Sequence, residues 1–370
     1  MRRARFVAGL IWTVITCPIA AISAQNYPPP REGDFTVHDF HFKDGETLPE
    51  LRLHYATLGT PIRNSAGVVT NAVLLLHGTT ASWNMFFYPS FAGELFGPGQ
   101  PLDATKFFLI LPDSIGHGHS SKPSAGLRMH FPHYDFDDMV AAQHALLTQG
   151  LGVNHLRLVL GTSMGGMHSW VWGETYPDFM DTIMPMACLP VQVGGRNYLW
   201  RKEIKDLIRF DPAWKNGDYT EEPRESLRAA LSIVLISASA PLYLQQHFPT
   251  PAQAGRYLDG LMQMLLGQSD ANDMLYAFDS SRNYDPSSGL QIIKAPLMLV
   301  NSADDFINPP ELGIAEREIK RVKRGKYVLL PMSEWTQGHG TFMFAAVWKA
   351  YLEQLLTESS KPPKGATPQP

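Results

Sequence analysis

The stretch Leu158 to Gly166, LVLGTSMGG, constrains the fold more than any other part of the chain. An apolar, β-rich run from Leu156 to Leu160 leads into Gly161-Thr162-Ser163-Met164-Gly165, a G-x-S-x-G sequence. That sequence describes a strand turning sharply into a helix, with the serine at the apex. The turn strains the serine backbone, and small glycines on either side let strand and helix approach closely. The serine oxygen is pushed out above the sheet. The next backbone N–H, that of Met164, faces the same space, where a helix N-terminus favours developing negative charge. The pentapeptide alone recurs by chance. Its context raises its weight, because a strand-like run precedes it and a helix-compatible run, Met164 to Thr175, follows.

The surrounding chain is organised for a large core. At 370 residues, with 44% apolar and 18% charged residues, it suits one α/β domain or a domain with an inserted subdomain. A net charge of −4 gives nucleic acid no purchase, and no nucleic-acid partner is expected. Arg2, Arg3 and Arg5 precede an apolar run from Phe6 to Ile22, followed by small residues at Ser23 and Ala24. This is the layout of a secretory signal peptide over residues 1–24. Pro18 breaks the run, which is short for a span of about 20 residues, so no stable membrane insertion is expected after its removal. The expected location is periplasmic or secreted. The chain has two cysteines, and removal of Cys17 with the signal leaves Cys188 alone, in an apolar run that reads as packing.

Residues 25–34 are Pro-rich and read as a linker, and 358–370 as a disordered tail. Phe35 to Phe42 and Leu51 to Tyr55 alternate as two antiparallel strands would. Ala72–Leu76 is continuously apolar, as a strand buried on both faces is, and Phe107–Leu111, Leu156–Leu160, Ile183–Ala187, Leu297–Val300 and Tyr327–Leu330 read as further strands of the same sheet. Helical patterns alternate with them at Phe136–Leu147 and Met164–Thr175, and a last one covers Phe342–Leu356. The rhythm predicts a doubly wound, mostly parallel sheet built from 35–189 and 291–357. Between them, 190–290 reads as an inserted helical cap, with helices over Trp200–Phe210, Glu225–Ser237, Pro251–Leu266 and Asp270–Phe278.

A serine hydroxyl is a weak nucleophile unless a base takes its proton and a third group orients the base. Two later strand ends offer those groups. Leu297–Val300 is followed by a loop carrying Asp304 and Asp305, both candidates for the acid. Tyr327–Leu330 is followed by Gly338-His339-Gly340, where a bulky histidine between glycines has no packing purpose. Ser163, an aspartate and His339, each just past a buried strand, are far more specific than the pentapeptide. The first central strand runs into His77-Gly78-Thr79, which places the Thr79 and Met164 backbone N–H groups as candidate oxyanion donors. His117 and His119 lie two apart in a Gly-rich loop, but no further ligand set has metal spacing, so no metal is expected. No phosphate loop or dinucleotide fingerprint is present, and no cofactor is expected.

With these residues in place the chain resembles the α/β-hydrolase superfamily over almost all of its mature part. HGTT, DSIGHGHS, GTSMGG, the Asp305 loop and GHG carry the resemblance. Within the superfamily it is similar to the homoserine O-acetyltransferase-like branch, through FGPGQPLDATKFFLI at Phe96–Ile110, FDDMVAAQHALL at Phe136–Leu147, GTSMGGMHSW at Gly161–Trp170 and DPAWKNGDY at Asp211–Tyr219. The resemblance implies Ser163 as nucleophile, Asp305 as acid and His339 as base. Pro309, four residues after Asp305, favours it over Asp304, a spacing common after the acid in this fold. In the acetyltransferases an arginine of the cap takes the amino-acid carboxylate; Arg196, Arg201 and Arg209 are the candidates here. The elbow reads Gly-Thr-Ser where the branch usually has Gly-Gly-Ser, and an exported chain stands apart from cytosolic methionine synthesis. The expectation is therefore an exported serine hydrolase that cleaves a small-molecule ester or other acyl bond. The alternative is an O-acyltransferase using the same acyl-enzyme.

Overall fold

A computed structural model describes residues 26–359. The expected signal peptide and residues 360–370 of the expected tail lie outside the described residues. Five of the expected runs form the middle of an eight-stranded sheet in the order β1-β2-β4-β3-β5-β6-β7-β8, whereas Tyr327–Leu330, expected as a buried strand, is the edge strand β8, with Leu329 exposed. The strands are β1 Arg31–His41, β2 Thr47–Leu58, β3 Ala72–Leu76, β4 Phe108–Pro112, β5 Leu158–Thr162, β6 Ile183–Met186, β7 Leu297–Ser302 and β8 Gly325–Leu330. β1 pairs with β2 and β2 with β4 antiparallel, and the remaining neighbours are parallel. Every residue of β3, β4 and β5 is buried, which is why these strands lack the alternation of a half-exposed sheet.

Helices cover both faces. α1 (Ala92–Leu95) and α10 (Lys349–Ser359) pack on one side, where Phe91, Phe96, Trp348 and Leu352 join Val73 and Leu75 of β3. On the other, α2 (Phe136–Ala145) and α3 (Met164–Thr175) bury Met139, Trp170 and Trp172 against Leu74 and Leu76. Asp135 caps α2 by accepting from the Asp137 and Asp138 N–H groups, while Asp138 returns a bond to the Asp135 N–H. The short α9 (Ile314–Glu318) precedes β8.

Between β6 and β7 the chain leaves the sheet for α4 (Gly195–Arg209), α5 (Arg224–Ala238), α6 (Pro241–His247), α7 (Pro251–Leu266) and α8 (Ala271–Asp279). These helices have a core of their own, with Ile204, Ile208, Trp214, Leu227, Leu231, Met262 and Leu275 packed together. No single helix among the described residues is long and apolar enough to cross a membrane.

Three local expectations are corrected. The stretch expected as a linker enters the sheet: Arg31 and Glu32 of β1 face Thr57 and Ala56 of β2. Just before it, the Tyr27 ring packs edge-on against Phe96, with centroids 5.7 Å apart. Charged side chains on an exposed edge strand gave that strand a linker's composition. Strand β5 begins two residues later than Leu156, which makes only an isolated bridge to Met180, and it continues through Gly161 and Thr162, which pair with Leu76 and Met186. The last helix starts at Lys349, and short 3₁₀ turns, Gly338–Met343 and Ala345–Val347, stand where Phe342 was expected to begin it.

Candidate active site

The sharp turn after β5 is built by close approach. A Cβ on Gly161 would come 1.9 Å from the Gly165 carbonyl oxygen, and one on Gly165 would come 2.0 Å from that of Leu76. Only glycine lets strand and helix meet there. Ser163 between them takes φ +55° and ψ −113°, a region that L-residues rarely enter. Its N–H donates to Met186 O (2.9 Å), and the Gly165 N–H donates to His77 O (2.9 Å), which ties the turn to both neighbouring strands. The strain is held by this frame. Met164 opens α3, so its N–H has no intrahelical partner.

The structure brings together the three side chains singled out in the sequence. His339 Nε2 lies 2.8 Å from Ser163 Oγ, and His339 Nδ1 lies 3.0 Å from Asp305 Oδ2. Asp305 is 1% exposed. Burial would raise its carboxyl, but the charge of His339 and hydrogen bonds from His339 and Asn308 outweigh it and hold the group below its ordinary value. Its Oδ1 accepts from the Ile307 and Asn308 N–H groups (2.9 and 3.1 Å). The Asn308 side chain donates to Asp305 Oδ2 (3.0 Å) and to Ala187 O (2.9 Å), and so pins the carboxylate to the end of β6. Asn308 was not among the sequence candidates. An asparagine in a turn is usually read as a turn former, and its tie to Ala187 crosses 121 residues of sequence.

Asp304 faces elsewhere. Its carboxylate accepts from the hydroxyls of Ser302 and Thr336 and from the Gly338 N–H (3.0 Å). It anchors the loop that presents His339 and makes no contact with the imidazole.

Thr79 lines the same cavity as Ser163, and the loop that carries it rests on the serine: a Cβ on Gly78 would sit 3.5 Å from Ser163 Cβ. Two buried histidines hold this loop. His77 Nε2 accepts from the Ser114 N–H (3.0 Å), so its proton is on Nδ1, which donates to Gly78 O (2.8 Å). Burial pushes its pKa down to about 4. His117 Nε2 contacts Thr79 O at 2.7 Å. His119 turns away to stack edge-on with His54, with centroids 5.2 Å apart. Among the described residues no group of three His, Cys, Asp or Glu side chains is arranged to hold a metal ion.

The cavity above Ser163 has a volume of about 630 Å³. It lies under the cap, with walls from α4 through α8. Of the three candidate arginines, only Arg201 lines it. Arg196 is exposed and lies over the Phe306 ring, 3.6 Å from its centroid, and Arg209 is exposed at the end of α4. Arg201 Nε donates to Asn197 Oδ1 (3.0 Å) and one terminal nitrogen to Ser281 Oγ (3.0 Å). Both partners are neutral, and no carboxylate pairs with Arg201 among the described residues. Burial pushes its pKa down to about 10, so the guanidinium is still charged at neutral pH. Arg201 and His339 are the only side chains in the described lining that can carry a charge near neutral pH, and the rest is apolar or neutral.

A sequence model of the alpha/beta hydrolase fold family matches residues 71–354. The chain belongs to the α/β-hydrolase fold family. This is an enzyme family, and the chain sits in its homoserine O-acetyltransferase-like branch. It is 29% identical over 279 residues to a probable acyltransferase of Methanothermobacter thermautotrophicus, covering 75% of this chain and 84% of that protein. It is 28% identical over 363 residues to a homoserine O-acetyltransferase of Moorella thermoacetica, covering 85% and 94%. The solved structure of an acetylester hydrolase from Corynebacterium glutamicum superposes with a TM-score of 0.78 at 20% identity, covering 88% of this chain and 96% of that one. That last likeness is one of fold.

Proposed function

We propose that the α/β-hydrolase is an O-acyltransferase working through an acyl-enzyme on Ser163. Ser163 Oγ attacks the carbonyl carbon of an ester or thioester donor, and His339 Nε2 takes the hydroxyl proton. Asp305 holds His339 in the required tautomer and stabilises its cationic form. The Thr79 and Met164 N–H groups face the oxyanion. Collapse breaks the bond to the leaving group, which departs with the proton from His339. An acceptor hydroxyl then gives its proton to His339 and attacks the acyl-enzyme, releasing the new ester and free Ser163.

The observation that carries transfer is Arg201. A charged guanidinium with only neutral partners, in a cavity shared with Ser163 and lined by no carboxylate, calls for an anionic ligand. A hydroxyl acceptor bearing a carboxylate supplies it. Water is present at about 55 M, and an acceptor outcompetes it only if bound and oriented. Arg201 provides that binding. The curated relatives named as acyltransferases support the same reading.

Hydrolysis is the second reading. It is favoured by the rim of the cavity, where Tyr88, Ile236 and Leu258 are exposed and leave the serine open to solvent. The experiment is product partitioning with an acyl ester and millimolar serine or homoserine. Transfer predicts more O-acylated amino acid than free acid. Arg201→Gln is expected to raise the acceptor KM about 10- to 100-fold, the loss of a charge-assisted pair, and to divert product to free acid. Free acid predominating in the parent at saturating acceptor establishes hydrolysis instead.

We also propose that the enzyme is exported. The amino-terminal sequence supports this, and mature protein from the native host is expected to begin near Gln25. An amino-terminal sequence still reading Met1 contradicts export with cleavage.

A further inference from the structure

The cavity holding Ser163 is much larger than the acyl group carried by an acetyltransferase. Three heavy atoms of acetyl, at roughly 30 Å³ each, fill well under a quarter of the volume. The walls differ in chemistry. Arg201 and Asn197 of α4 give one side its polarity. A second wall, built from the end of α5 and from α6 and α7, contributes Leu235, Leu244, Leu258 and Leu261 beside the neutral polar Ser237, Tyr243 and Tyr257, and no charged residue.

These helices also leave apolar surface uncovered. α6 buries none of its residues and α7 buries only Met262. At the rim Ile236 is 68% and Leu258 39% exposed. Apolar surface of this kind, continuous with a reactive serine, is stabilised by an apolar ligand that displaces its water.

We infer that the acyl group passed through Ser163 is a medium- or long-chain fatty acyl group, its tail lying along the wall formed by α5, α6 and α7. The inference rests on the acyl-enzyme reading and names its donor class. The carbonyl sits at Ser163, the tail runs away from Arg201, and the side near Arg201 is left for the acceptor. The acyl bond chemistry is that already given, with no additional reactant.

Two measurements on the full chain test it. Methyl esters from acetate to decanoate are titrated calorimetrically against Ser163→Ala. The Kd is expected to fall about fourfold for each added methylene, equivalent to about 0.8 kcal/mol per buried CH₂. A Kd that does not change with chain length overturns the inference. In parallel, kcat/KM is measured for p-nitrophenyl esters of the same acids. The parent is expected to favour octanoate over acetate by more than about tenfold. Ala254→Trp, which places a large ring on the α7 wall, is expected to lower that ratio at least about tenfold. A parent fastest on acetate overturns the inference. Chain-length-dependent binding together with undiminished turnover by Ser163→Ala leaves the fatty-acyl site standing and removes the acyl-enzyme. Phosphonate labelling of Ser163 with flat ester affinities does the reverse.

Discussion

His117 Nε2 lies 2.7 Å from the carbonyl oxygen of Thr79, and Nδ1 of the same ring lies 2.9 Å from that of Ile115. Both neighbours are acceptors, and a neutral imidazole has one N–H to offer. His117 therefore ties the Thr79 carbonyl to the loop after β4, next to the Thr79 N–H proposed as an oxyanion donor. Replacing it should misplace a donor that matters only as charge develops. His117→Ala is expected to lower kcat about 10- to 100-fold with KM changed less than about threefold. His117→Gln, which can still donate to one carbonyl, is expected to recover part of the loss. Equal effects of both variants on kcat and KM would contradict this role.

The same ring makes a prediction about stability. Burial, followed by the neighbouring charge of His77, pushes the His117 pKa down to about 4. A depressed histidine binds its proton more readily in the unfolded chain. Stability from His117 is thus present above about pH 6.5 and is lost as pH falls towards 4, by about 3 kcal/mol at most. Carboxyls raised by burial act in the opposite sense: Glu174 is pushed up to about 7 and Glu222 to about 8. The measurement is therefore a difference, urea unfolding of parent and His117→Gln from pH 7.5 to 4. The stability advantage of the parent should shrink on acidification. An advantage that grows would mean that His117 is charged in the folded protein.

The two neighbouring aspartates are expected to fail differently. Asp305→Asn should lower kcat about 10³- to 10⁴-fold by leaving His339 in the wrong tautomer, with the fold retained. Asp304 contacts the His339 loop through Gly338 and Thr336, so Asp304→Ala should cost about 10-fold in kcat and lower the unfolding midpoint. Asn308→Ala frees the Asp305 carboxylate on one side and should fall between them. Paired kcat and thermal unfolding measurements separate these outcomes, and a larger kcat loss for Asp304 than for Asp305 would exchange their roles.

Much of the sheet was readable because a strand buried on both faces has to be continuously apolar. Ala72–Leu76 appears in the structure with the limits read from sequence, and so do Met164–Thr175 and Pro251–Leu266, the last begun by the Thr250 cap with its partner Gln253. The order of Ser163, Asp305 and His339 was readable because each follows an apolar strand run, although the run before His339 proves to be the half-exposed edge strand β8. Helix α6 was not readable: with no buried residue it lacks the one-sided pattern that marks a helix. Asn308, and the contact of His117 with Thr79, depend on pairings between distant segments that no local pattern encodes. Arg201 stood among three arginines in the sequence. Only the folded cap shows that it faces the cavity with neutral partners.

The central claim is that Ser163 carries the acyl group. Rapid mixing of the full chain with a p-nitrophenyl ester in the absence of acceptor, acid quenching and peptide mass spectrometry tests it directly. The account predicts an added acyl mass on the peptide containing Ser163, formed in step with the nitrophenol burst, and its absence in Ser163→Ala, with turnover reduced about 10⁴- to 10⁶-fold. Acylation at another residue, or undiminished turnover by Ser163→Ala, would contradict it.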